Sequence, residues 1–135
     1  MNRIAIALSL TLGCAASFAQ MTPVGLWKSV SDKDGSVTAE IRIVETAGVF
    51  SGKIERDLGP KAKPEDKCTD CKDDRKDQPI AGLEIIRGVK KVEGKAVWDG
   101  GTIVDPQGGT VYRVKITQVD GGKKESFRQV LAKDT

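Results

Sequence analysis

WDGGTIVDPQGGTVY, residues 98–112, sets two turn clusters on either side of a short β-branched run. Asp99-Gly100-Gly101 precedes Thr102-Ile103-Val104, and Asp105-Pro106-Gln107-Gly108-Gly109 follows it. Glycine reaches positive φ without steric cost, and proline presets φ for the first corner of a turn. The segment therefore predicts three antiparallel strands in succession, reversed at both clusters.

Working outward, residues 110–119 alternate cleanly, with Tyr112, Val114 and Ile116 on one face and Arg113, Lys115 and Thr117 on the other. Asp120-Gly121-Gly122 predicts another hairpin turn, with residues 125–131 as a weakly alternating return strand. Upstream, residues 36–44 place Val37, Ala39, Ile41 and Ile43 on one side. After the turn Glu45-Thr46-Ala47-Gly48, residues 49–55 bury Phe50, Gly52 and Ile54. Gly52 inside a strand signals a bend or a close approach of another backbone. Residues 79–92 are spaced between helix and strand periods, and Gly82 and Gly88 tilt the reading towards strands. Ser31-Asp32-Lys33-Asp34-Gly35 superficially matches a calcium loop. Its frame would put Val30 and Ile41 at ligand positions, so it is a hairpin turn. Seven or eight short strands with one apolar face each, and no convincing helix, must curl onto themselves. The fold class is all-β, a small antiparallel barrel, with an open sandwich or an OB-like barrel as the alternative.

Met1-Asn2-Arg3, the uncharged apolar run 4–13 and the small residues Ala15 to Ala19 form a secretory signal pattern. The expected domains are a signal peptide over residues 1–19, cleaved after Ala19, and a single barrel domain over residues 20–135. Gly13-Cys14 raises a lipoprotein reading, against which Thr11 stands where a bulky aliphatic residue belongs. No later segment is apolar for long enough to span a bilayer as a helix. A periplasmic or secreted location follows.

The 22 basic and 19 acidic residues give a net charge of +3. They are interspersed, and aromatics are few, so the sequence lacks a nucleic-acid footprint. It contains no histidine, which removes the Ser-His-Asp and Cys-His catalytic sets and the usual zinc sites. No cofactor and no metal are expected.

Residues 57–77 are dominated by Lys, Asp, Glu and Pro and form a long surface excursion. Within it, Cys68-Thr69-Asp70-Cys71 admits three readings: a local disulfide, half of a metal site, or a thiol redox centre. An oxidising compartment favours the disulfide. Two thiolates without histidine make a poor zinc set, and the acidic neighbours Glu65, Asp66, Asp70, Asp73 and Asp74 disfavour the reactive thiolate. Asp99 and Asp105 could pair for glycoside hydrolysis, but each sits in a turn where Asp caps its own backbone. Trp27, Phe50, Trp98 and Tyr112 are the candidates to line a pocket for an apolar ligand, with core filling as the competing role.

Taken in order, Gly25-Leu26-Trp27, Phe50-Ser51-Gly52-Lys53-Ile54, Cys68-Thr69-Asp70-Cys71, Pro79-Ile80-Ala81-Gly82-Leu83, the segment Trp98 to Pro106 and Tyr112 resemble a secreted bacterial family, domain of unknown function 2147. The resemblance runs from about Gly25 to Gly122 and implies a lipocalin-like antiparallel barrel in an exported protein. It implies no established activity and carries over no catalytic residues. Members look as though they finish on a Trp-containing strand that closes the barrel. Residues 125–131 depart from that pattern, so the barrel is expected to be incomplete at its C-terminal end. The functional expectation is a non-catalytic carrier of a small apolar or amphipathic molecule, an inference by analogy from fold. The alternatives are a cell-envelope interaction module, using an exposed strand edge or the 57–77 excursion, and a thiol redox protein acting through Cys68 and Cys71. The sequence leaves the oligomeric state open.

Overall fold

The computed structural model describes residues 22–31, 33–118 and 127–133. The signal segment, Cys14 and the Asp120-Gly121-Gly122 turn lie outside the described residues. Seven strands are described: β1 (Gly25–Val30), β2 (Val37–Thr46), β3 (Val49–Asp57), β4 (Glu84–Lys91), β5 (Val97–Val104), β6 (Val111–Gln118) and β7 (Phe127–Lys133). They form one antiparallel sheet in chain order, each strand paired with its sequence neighbours. Among the described residues β1 and β7 do not pair, so the sheet is an open, curled barrel with an edge at each end.

The alternation read from the sequence positions the interior. Ile41, Ile43, Phe50, Ile54, Ile86, Val89, Trp98, Ile103, Val114 and Ile116 are buried in one cluster drawn from β2 to β6. β-Branched side chains suit the crowded inner face of a pleated sheet.

Asp99-Gly100-Gly101 does not reverse the chain, contrary to the turn expected there. It is a bulge inside the continuous strand β5, where Trp98 pairs with Ile116 and Gly101 with Val114, three steps against two. Gly100 takes the extra step at φ 82°. A matching irregularity lies on β4, where Ile86 faces Gly52 and Val89 faces Phe50, with Gly88 at φ 73° between them. Bulges bend a strand and increase its local twist. Two of them side by side fold the sheet sharply over. At the fold, Gly101 lies directly against β4: a Cβ there would overlap Val89 Cγ2 and the Arg87 carbonyl oxygen and sit 2.8 Å from the Val89 amide nitrogen. The second cluster, 105–109, is a true turn closed by Asp105 N–H donating to the Thr110 carbonyl at 2.8 Å and Gly109 N–H to the Asp105 carbonyl at 2.7 Å. Gly52 makes its close approach to side chains, with a Cβ there meeting Ile86 Cδ1 at 3.0 Å.

Residues 79–92 contain one strand, β4, preceded by an irregular stretch that still buries Ile80 and Leu83. The mixed spacing is explained by that division.

Gly101→Ala should lower unfolding free energy by about 3 kcal/mol or more, because backbone atoms cannot move out of the way as a flexible side chain can. Gly94→Ala, at positive φ but with nothing within 4 Å of its Cβ, should cost only about 1–2 kcal/mol. Urea unfolding of both variants checks the contrast; equal losses would show that the β4–β5 contact is not specially tight.

Candidate functional site

Because the strands run antiparallel in chain order, the β1–β2, β3–β4 and β5–β6 connections share one end of the curled sheet. The β2–β3 and β4–β5 connections share the other. The two ends are built differently. At the β2–β3 end, Phe50 and Trp98 meet edge to face, ring centroids 6.3 Å apart at 73°, with fully buried Val89 in the same cluster. That end is plugged. Towards the other end the interior is hollow, with a partly open cavity of about 770 Å³. This lies within the range typical of small-molecule pockets.

Isoleucine is its commonest lining residue. Ile41 and Ile43 come from β2, Ile54 from β3, Ile86 from β4, Ile103 from β5 and Ile116 from β6, while Trp27 of β1 supplies the aromatic surface. One cavity touching every strand from β1 to β6 is direct evidence of how far the sheet curls. Trp27 is anchored by its indole N–H, which donates to the Pro23 carbonyl at 2.7 Å. The mouth is polar. Asp57, Lys61 and Asp66 reach it from the end of β3 and the excursion that follows, and Asp105 and Gln107 from the β5–β6 turn.

The excursion between β3 and β4 runs over the surface as its composition predicts, and it is anchored at a few buried points. Cys68 and Cys71 are joined in a disulfide and are 0% and 2% exposed. A two-residue bridge pairs Lys67 with Pro79. Cys68 N–H donates to the Gln78 carbonyl at 2.8 Å, and Asp77 N–H donates to the Cys68 carbonyl at 2.9 Å. Two arginines pin the excursion to β4. Buried Arg75 donates from Nε to Asp73 Oδ1 at 3.0 Å and from Nη1 to the Glu84 carbonyl at 3.2 Å. Arg87 grips Asp74 with both terminal nitrogens, at 2.8 and 2.9 Å, and Glu84 with Nε at 2.6 Å. Such forked carboxylate pairing fixes orientation as well as distance. On the far side, the turn leaves no room at Gly109: a Cβ there would overlap the Asp70 carbonyl. The excursion is thus held between β4 and the β5–β6 turn, beside the mouth.

These contacts set the charge states. Hydrogen bonding from Arg75 holds the Asp73 carboxyl down to about 2. Asp74 is likewise lowered, chiefly by the Arg87 hydrogen bond, and Arg87 is raised in return.

Of the four aromatic candidates, the structure places Trp27 in the cavity wall. Phe50 and Trp98 form the opposite plug, and half-buried Tyr112 packs at the margin of the core. Asp99 and Asp105 stand six residues apart on one strand and its turn, about 20 Å at an extended rise, too far for a glycosidase pair. Asp99 Oδ1 accepts from Gly100 N–H and Asp105 Oδ1 from Gln107 N–H, as turn and bulge residues do. No group of three or more metal-ligating side chains is assembled among the described residues. The isoleucine wall and the acidic mouth were not singled out from sequence. Alternation marks which side chains face inward, but not which end of the interior stays hollow.

Comparison with known proteins supports this architecture. The family described as "Uncharacterized protein conserved in bacteria", domain of unknown function 2147, matches residues 25–129. Among solved structures, protein HP1028 from Helicobacter pylori, described as belonging to the lipocalin family, is similar with a TM-score of 0.65 at 16% identity. The match covers 82% of this chain and 72% of that one. No curated protein matches.

Two outcomes follow from the pinned excursion. With its sulfurs buried, the native protein should resist reduction and alkylation by a thiol-specific reagent until denaturant is added. A Cys68→Ala/Cys71→Ala variant should stay folded but lose about 2 kcal/mol in chemical denaturation. Second, the folded Asp73 carboxyl lies below its ordinary value of 3.8. Its contribution to stability is therefore complete above about pH 4 and is lost as pH falls through 2. Its side chain is 43% exposed, so screening keeps the contribution small. Asp73→Asn should flatten this part of the acid limb in a pH series of urea midpoints.

Proposed function

The chain belongs to the bacterial family DUF2147, and from that premise we propose that it is an exported, non-catalytic protein that binds a small apolar or amphipathic molecule. The observation that carries the reading is the isoleucine-lined cavity of about 770 Å³, plugged at one end by Phe50 and Trp98 and open beside the excursion at the other. An apolar guest there replaces contact with water by contact with hydrocarbon, at roughly 25 cal/mol per Å² of apolar surface buried. The lipocalin-like fold is compatible with this use, and the signal pattern of residues 1–19 supports export. The lack of histidine supports a non-catalytic role.

A second reading has one observation behind it. Val24, Leu26 and Val30, in and just before the edge strand β1, and Val44 on β2 are 39–53% exposed. Such a strip beside a strand edge suits an envelope interaction module. The thiol redox alternative gains no support, because both cysteines are bonded and buried.

Fluorescence titration with N-phenyl-1-naphthylamine, a neutral apolar dye, tests the binding reading. The protein should enhance and blue-shift the dye saturably. Ala39→Phe, which places a ring into the cavity from β2, should weaken binding at least about tenfold, or about 1.4 kcal/mol. Equal binding by the variant would place the dye elsewhere and contradict the proposal.

A further inference from the structure

We infer that the cavity selects amphiphiles whose polar head is a cation, such as a long-chain amine; this rests on the binding reading above and names its ligand class. With the deep end closed by Phe50 and Trp98 and the wall made of isoleucine, a guest must enter tail first and leave its head at the mouth.

The mouth's charges then decide which head is tolerated. Asp57, Asp66 and Asp105 are half-buried there, and none of the ion pairs among the described residues involves them. Each is fixed by a backbone N–H: Asp57 by Gly59 at 3.2 Å, Asp66 by Lys63 at 2.9 Å and Asp105 by Gln107 at 2.9 Å. Those turn contacts account for one oxygen of each carboxylate. They leave Asp57 Oδ2, which is buried and has no hydrogen-bond partner. A carboxylate oxygen removed from water without a donor is costly, and a nearby positive charge offsets the cost.

Lys28 and Lys61 also line the opening, but both are exposed. Their ammonium groups stay hydrated on flexible stems. The half-buried carboxylates are fixed and less screened by solvent. A cationic head within about 4–6 Å of them is stabilised, and an anionic head is repelled, more strongly than the mobile lysines compensate.

Displacement of N-phenyl-1-naphthylamine by three ten-carbon competitors below their micellar concentrations tests the inference. Decylammonium should displace the dye at a concentration at least about tenfold lower than decanoate, with decanol between them. Asp57→Asn, which keeps the shape of the side chain, should shrink that ratio while leaving decanol unchanged; Asp105→Asn gives an independent check on the same sign. Displacement by decanoate as good as or better than by decylammonium would overturn the charge selection and leave the apolar cavity standing. Failure of the dye itself to bind would overturn both.

Discussion

The contact on which the rest of the structure depends is the meeting of β4 and β5 at Gly101. There the two strands approach so closely that no side chain fits between them, with Gly88 and Gly100 each absorbing an extra residue at positive φ. Without those paired bulges a seven-stranded meander would be a twisted open sheet with its apolar face in water. With them the sheet folds over, and β1 comes to share an interior with β6. Curl, core and cavity are therefore consequences of one local backbone arrangement.

The interior that results is divided by residue size. Large aromatics, Phe50 and Trp98, fill the β2–β3 end, whereas the other end encloses a cavity lined largely by isoleucines. The excursion between β3 and β4 frames the opening. Its disulfide, Arg75 and Arg87 hold it against β4, and its backbone at Asp70 abuts the β5–β6 turn at Gly109. A segment pinned on both sides gives the mouth a fixed outline and fixed charges. This is what a selective opening requires.

Much of the fold was legible in the sequence because it is written in a period of two. The alternations at 36–44, 49–55 and 110–119 became β2, β3 and β6 with the expected faces inward. The reading failed at Asp99-Gly100-Gly101, since glycine at positive φ serves a turn and a bulge equally, and only the neighbouring strand distinguishes them. The excursion was legible as a surface segment with a local disulfide, but not its anchoring, because the contacts that hold it to β4 join residues distant in sequence, such as Asp74 with Arg87. The cavity was the least legible part. Trp27 reaches it, but its main surface is isoleucine, and a periodic pattern cannot tell a packed isoleucine from one facing empty space.

The most direct measurement is an isoleucine-methyl NMR titration of the folded protein with the neutral apolar dye. The account predicts saturable shifts at the methyls of Ile41, Ile43, Ile54, Ile85, Ile86, Ile103 and Ile116, which line the cavity, and little change at Ile80, which is buried outside it. Shifts spread evenly over all isoleucines, or confined to the exposed face around Leu26 and Val44, would contradict it.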